Sequence, residues 1–404
     1  MQSWVLGPIG VNAEHRVTRA GCRTVLVMVP TTAAGHRLLD VTQLLEADHR
    51  IQVVFTVPEG TEHWQGPEEF VRARHGLLVP WPQAVQNRFD VILSASHREI
   101  DRVHGNLVVL PHGVGAGKAL SHSRKAAGAT VATTGFDREL LTYRGRVLPQ
   151  AVVLHHDDDL ATLRDRCAEA LPKAVVAGDI CLDRMVASRQ LREEYRRALG
   201  VSTGQRLITV SSTWSSSATF GRCFGLYRAL LDEARPAGCR VAAVLHPKAW
   251  EVHGRWQIQA WLADCVRDGL LLIPPEEGWR ATMIASDWVI GDHGSTTVYP
   301  AALGIPVSLA TFPDHAVRVD SAAAHLADWA PRLRFDAPLL PQYAAAKARQ
   351  PGNGQRLAEH ITSRPGQAAV VLRSVLYRLL DLAEPDTPAR VVPVPRPRPL
   401  PCHR

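Results

Sequence analysis

The sequence predicts an α/β fold of two Rossmann-like, doubly wound domains, and three observations carry that reading. Short continuous apolar runs, such as residues 24–30 (TVLVMVP), have the character of strands buried on both faces. These runs alternate with stretches of helical period, the pattern of repeated β-α units on a parallel sheet. The series also starts afresh near residue 206, so the 404 residues divide into two domains.

In the first series, residues 24–30 form the opening strand. Residues 33–47 follow as a helix whose apolar face carries Leu38, Leu39, Val41, Leu44 and Leu45. Residues 51–58 form the next strand, and 91–94 and 107–111 are strands ending at loops with His97 and His112. Strands at 129–133 and 151–154 complete the set. Residues 174–178 lead through 179–183 into a charged helix at 188–199, which reads as the join between halves. The second series has strands at 206–211, 241–245, 270–273, 288–291 and 307–310, with helices at 223–234, 256–266 and 281–285. The domains predicted are therefore 1–185 and 186–367, facing across a cleft. A final helical stretch, 368–384, packs back onto the first domain, and a Pro/Arg-rich tail, 385–404, is extended or disordered.

The chain is 46% hydrophobic and 21% charged, which suits proper globular cores. No apolar run reaches the length of a bilayer span, and residues 1–16 lack the basic start and apolar core of a secretory signal. A cytoplasmic protein is expected. The seven cysteines are scattered without a Cys-x-x-Cys pair, so neither a disulfide framework nor a zinc spacing is visible. The net charge is +7, but residues 386–404 hold Arg390, Arg396, Arg398 and Arg404 against Asp386, so the body is only mildly basic. No basic patch with a nucleic-acid module is found, which argues against nucleic-acid binding. Mild basicity suits an anionic donor, and would equally suit peripheral contact with the inner face of an anionic membrane.

The stretch richest in chemistry is 287–313 (DWVIGDHGSTTVYPAALGIPVSLATFP). It reads as strand, Gly/Ser/Thr turn, helix start and second strand, a device that aims backbone N–H groups and hydroxyls at a phosphate. Asp292, Gly294, Ser295, Thr296 and Thr297 are its donor phosphate-binding candidates, and Gly294 supplies close backbone approach or positive φ. Pro300, tolerated in a first turn, sets the helix start near 295–297. An ordinary capped helix is the competing reading. A hydroxyl-rich loop at 211–217 adds Ser212 and Thr213 as phosphate contacts. The run 110–118 (LPHGVGAGK) is no P-loop, because His112 stands where a glycine is needed and Ala119 where Ser or Thr is needed. It reads instead as a strand-end histidine, His112, a candidate general base, followed by Gly113 and a loop whose Lys118 can reach an acceptor or a phosphate. His246, ahead of Pro247 and Lys248, closes another strand and can contact donor phosphate or assist a leaving group. His155 to Asp159 (HHDDD) looks like a metal cluster, but adjacent residues rarely converge on one ion, and a solvated cap loop is the better reading.

Taken in order, these strand ends resemble the GT-B superfamily, in its branch of CDP-glycerol glycerophosphotransferases and UDP-N-acetylglucosamine 2-epimerases. The resemblance covers roughly residues 20–380 and rests on His112-Gly113 with Lys118, on His246-Pro247, and on Asp292-His293-Gly294-Ser295 with Gly304-Ile305-Pro306 downstream. Departures from the phosphotransferase pattern are His293, in place of an aromatic residue, and Gly294, in place of a serine. Residues 178–183 are similar to the interdomain segment of the epimerases, yet the acidic pair of those enzymes would fall at Val298-Tyr299. The resemblance implies an acceptor domain followed by a donor nucleotide-binding domain. It also implies transfer of a glycosyl or glycerophosphoryl group from a CDP- or UDP-linked donor to a hydroxyl, without an obligatory cofactor or metal. Cell-surface glycopolymer or natural-product synthesis is the implied setting, with His112 and His246 as catalytic residues. A nucleotide-sugar epimerase or hydrolase of the same fold and a non-catalytic binding scaffold remain the alternatives.

Overall fold

The computed structural model of the chain describes residues 4–10, 13–59, 66–114, 135–314 and 317–401. Its described residues form two compact units, the first from residues before 115, 135–183 and 362–392, the second from 184–361 and 393–401. The strand expected at 129–133 lies outside the described residues.

The first unit is built on β1 (Arg23–Met28), β2 (Ile51–Thr56), β3 (Arg88–Ser94), β4 (His104–Val109), β7 (Ala151–Leu154) and β8 (Ala174–Val176). A small antiparallel pair, β5 (Thr142–Tyr143) and β6 (Arg146–Val147), lies apart from that sheet. The six main strands are parallel in the order β2-β1-β3-β4-β7-β8. Side chains alternate between two cores, as the apolar runs require. Val25 and Val27 of β1 face one core, which they share with Leu38 and Val41, while Leu26 and Met28 face the other with Trp81 and Phe89. The helix Ala368–Leu380 belongs to the first of these cores through Leu372, Val375 and Leu376. Its start is tied down by the carboxylate of Asp183, which accepts from the Gly366 N–H at 2.7 Å and the Ala368 N–H at 3.0 Å.

The second unit has five parallel strands: β9 (Leu207–Ser212), β10 (Arg240–Leu245), β11 (Leu271–Ile273), β12 (Trp288–Gly291) and β13 (Val307–Leu309). Their order, β11-β10-β9-β12-β13, reverses direction between β9 and β12. The carboxyl end of that pair is the place where open α/β sheets take ligands. Ile208, Val210, Trp288 and Ile290 point into the core on one face. The other face of β9 is polar, with Thr209 Oγ1 2.6 Å from Ser286 Oγ.

Several helices differ from the sequence reading. The stretch 33–47 forms the helix Thr32–Thr42, capped by the Thr31 hydroxyl, and then a 3-10 turn, Gln43–Leu45. The stretch 256–266 divides into Arg255–Trp261 and Ala263–Arg267 at Leu262, and 223–234 starts later, at Leu226–Ala234. The helix Ser295–Ala302 starts where expected, but Pro300 sits in its interior, not its first turn. Lacking an N–H, Pro300 cannot donate to the Thr296 carbonyl.

Of the two states expected for the tail, extended or disordered, its described residues take the extended one. Ala389 and Val391 pack against the first unit's core. In the second unit, Val394 is buried, its N–H donates to Ser188 Oγ at 2.9 Å, and its carbonyl accepts from Tyr195 Oη at 2.6 Å. Farther on, the Leu400 N–H donates to the Leu272 carbonyl of edge strand β11 at 2.8 Å. An extended proline-rich segment makes no hydrogen bonds within itself, so its peptide groups are available to the surface it lies on. Among the described residues, no helix is long and apolar enough to cross a membrane.

Candidate functional site

The carboxyl edge of the second unit's sheet is organised by one buried side chain, Asp292, directly after β12. Its carboxylate accepts four hydrogen bonds: from the Thr213 N–H (2.9 Å), the Thr213 hydroxyl (3.0 Å), the Thr219 N–H (3.1 Å) and the Gly294 N–H (3.0 Å). Two loops far apart in sequence, after β9 and after β12, are thereby clasped to one another. Gly294 is required by close approach and not by its dihedral: φ is −74°, but a Cβ there would lie 2.5 Å from Thr213 Cγ2. Gly291 is similarly confined, because a Cβ would meet Thr297 Oγ1 at 2.2 Å.

This clasp divides the phosphate-binding candidates into two groups. Ser212, Thr213, Asp292 and Thr297 are buried and direct their polar atoms inward. Ser212 Oγ donates to the Thr213 carbonyl and accepts from the Phe220 N–H, both at 2.8 Å, while Thr297 Oγ1 accepts from the Asp292 N–H at 3.2 Å. These four are held by hydrogen bonds within the loop. A carboxylate already carrying four donors would repel an anion, and a hydroxyl spent on the backbone has little left to offer one. Ser295 and Thr296, in the first turn of the Ser295–Ala302 helix, are half-buried and form the accessible part. Thr296 Oγ1 lies 2.7 Å from Ser211 Oγ, a partner that sequence reasoning passed over. Thr219 was also missed; only the fold brings its N–H to Asp292.

His246 follows β10 at the same edge. Its N–H donates to the Ser212 carbonyl at 2.9 Å, and its Nδ1 accepts from the Lys248 N–H at 3.0 Å, capping the helix Pro247–His253. A neutral imidazole that accepts at Nδ1 carries its proton on Nε2 and is a donor there. The Lys248 ammonium lies 4.1 Å from the ring centroid of Trp214, next in sequence to Thr213.

The first unit's carboxyl edge is of another kind. His97, His112 and His155 follow β3, β4 and β7, three successive strands of the sheet. His112 is exposed, whereas His155 is buried with its Nδ1 3.5 Å from Asp179 Oδ2. Asp179 forms an enclosed ion pair with Arg37 (Nη1 to Oδ1 2.8 Å), and its Oδ1 also accepts from the N–H groups of Cys181 and Leu182. Arg37 Nη2 reaches the carbonyl of Gly113 at 3.4 Å, next to His112. Burial holds the His155 pKa below the usual histidine range despite Asp179. Burial likewise pushes His97 down to about 4, against the opposing pull of Asp137 and a backbone hydrogen bond to Gly135. Lys118 lies outside the described residues. At His155 to Asp159, Asp159 Oδ2 caps the N–H groups of His155 and His156, and Arg364 pairs with Asp157. Among the described residues no group of three or more His, Cys, Asp or Glu side chains is placed to hold a metal ion.

No family model matches the chain, and no curated protein matches it in sequence. Solved structures do. A variant of the wall teichoic acid polymerase TagF aligns with a TM-score of 0.57 at 10% identity, covering 89% of each chain. A UDP-GlcNAc 2-epimerase from Neisseria meningitidis, bound to UDP-GlcNAc, aligns with a TM-score of 0.50 at 13% identity over 89% of this chain and all (100%) of that one. MnaA of S. aureus, in a structure with UDP, aligns at 0.51 and 12% identity over 91% and 99%. At such identities the likeness concerns the fold, and the fold is that of the GT-B enzymes: two Rossmann-like domains in one chain.

Proposed function

We propose that the protein moves a glycosyl or glycerophosphoryl group from a nucleotide-diphosphate donor to an acceptor hydroxyl, in cell-surface glycopolymer or natural-product synthesis. The observation that carries this reading is the Asp292 clasp. It fixes the Gly294 turn at the switch point between β9 and β12 and presents the first turn of the Ser295–Ala302 helix beyond it. On this reading Ser295 and Thr296, with their hydroxyls and backbone N–H groups, bind the donor diphosphate. His246, donating from Nε2, stabilises charge developing on the leaving nucleotide. His112, exposed after β4, takes the proton of the acceptor hydroxyl. The GT-B fold, shared with a polymerase of teichoic acid and an epimerase bound to UDP-GlcNAc, supports a nucleotide-activated donor. The reaction needs no obligatory cofactor. A protein acting at the inner face of the membrane fits such an acceptor.

One observation favours a second reading, a binding scaffold without turnover. Val298 and Tyr299, which replace an acidic pair of the epimerases, are buried, so no carboxylate is offered there for a ribose. The same observation counts against an epimerase. The test is a thermal-shift panel of CDP, UDP, GDP, dTDP, CDP-glycerol and UDP-N-acetylglucosamine, with and without Mg²⁺. A ligand at about 100 times its dissociation constant stabilises the fold by roughly 2.7 kcal/mol. Selective stabilisation by one base, followed by transfer to a hydroxyl acceptor, supports the transferase. Binding without turnover supports the scaffold, and no shift with any of these ligands undercuts the transferase and leaves the scaffold, with a glycan as its ligand.

A further inference from the structure

We propose that Lys248 supplies the positive charge for a diphosphate at the carboxyl edge of the second unit's sheet, with Trp214 as the residue that positions it. This deepens the donor-site reading above and rests on it.

The argument begins with charge. Asp292 brings a buried negative charge to this edge, and the groups that satisfy it are neutral: three backbone N–H groups and one hydroxyl. Ser295, Thr296, Ser211 and the Nε2–H of His246 are neutral as well. Dipoles of this kind orient an anion but do not cancel its charge, and the nearby carboxylate opposes it. A cation beside them would strengthen the binding of a diphosphate.

Lys248 is placed to be that cation at both ends of its side chain. Its backbone is fixed by the bond from its N–H to His246 Nδ1, at the first turn of the helix after β10. Its ammonium is fixed 4.1 Å from the Trp214 ring centroid. Trp214 directly follows Thr213, whose N–H and hydroxyl are both held by Asp292. The cation therefore rides on the same clasp that shapes the Gly294 turn. Trp214 remains 39% exposed and Lys248 half-buried, so the pair faces accessible space and is not sealed in the core. Contact with an aromatic face limits the wandering of a long side chain and leaves the ammonium N–H groups directed elsewhere.

Isothermal titration with inorganic pyrophosphate, CDP and UDP tests this. Lys248→Met should weaken pyrophosphate and the bound nucleotide by about tenfold or more, the scale of a lost charge-assisted hydrogen bond. It should also flatten the dependence of affinity on salt. Lys248→Arg should recover most of the loss. Trp214→Leu should give an intermediate loss that Trp214→Phe restores, which a merely structural tryptophan would not show at an unchanged melting temperature. Wild-type affinity and salt dependence in Lys248→Met overturn the proposal and leave the donor site standing. If the wild-type protein binds neither pyrophosphate nor any nucleoside diphosphate, the donor-site reading fails and the proposal fails with it.

Discussion

Two buried aspartates, each just past a strand of a parallel sheet, are balanced in opposite ways. Asp179 in the first unit meets a guanidinium, Arg37, with two backbone N–H groups beside it. Asp292 in the second unit meets only neutral donors. An ion pair closes a site electrostatically, because the charge is spent where it stands. A carboxylate held by amides and a hydroxyl locks two loops but leaves its charge felt nearby, so that a cation from elsewhere would strengthen the binding of an anion at that edge. The first unit thus uses its aspartate to anchor the turn bearing His112, and the second uses its own to shape the Gly294 turn.

The largest expected effect separates chemistry from scaffolding. His112→Ala should lower turnover by about 10²–10⁴-fold while donor affinity and melting temperature stay unchanged, since the side chain is exposed. Unchanged turnover would remove His112 from the mechanism. Next, Arg37→Met strands a buried carboxylate and should cost about 3–5 kcal/mol in denaturant unfolding. Adding Asp179→Asn, which keeps an acceptor for Cys181 and Leu182, should return much of that loss; no return would mean that the two edges are not balanced differently after all.

Acid should act on the first unit through His97. Its folded pKa is depressed to about 4 from an ordinary 6.5, so the unfolded chain takes up the proton first as pH falls. The stability it contributes is complete above pH 6.5 and is lost as pH falls towards 4, roughly 3 kcal/mol in all. His155, depressed by the same cause, adds a change of the same sign. His97→Gln should flatten the slope of unfolding free energy against pH in that window; an unaltered slope would locate the acid sensitivity elsewhere.

Asp292→Asn retains shape but turns one acceptor into a donor facing other donors, and should cost about 2–3 kcal/mol together with donor binding. Smallest is Gly294→Ala, at about 1–3 kcal/mol, from the clash with Thr213 Cγ2. A variant that binds donor as before would show that the close approach at Gly294 is dispensable.

Much of the fold was legible because strands buried on both faces leave a local mark. TVLVMVP has no polar alternation, and in the structure its side chains go alternately to two cores. The Gly294 turn was legible for a similar reason, since a Gly-Ser-Thr run between a strand and a helix marks a turn and a helix start. The division of labour within it was not. Thr213 and Thr297 are the same residue type in similar company, and nothing adjacent to either says that its hydroxyl turns inward. The short helix Pro247–His253 was missed because its cap is a histidine ring and not one of the usual capping side chains.

By itself, the sequence determined what depends on near neighbours: strand runs, helix periods, the glycine turn and the histidines at strand ends. Tertiary structure alone decided which polar groups meet. Thr213 and Asp292 are 79 residues apart, and Arg37 and Asp179 are 142 apart. Such pairs form because parallel strands bring their carboxyl ends to one edge, and a buried carboxylate must then find donors among whatever the fold delivers there.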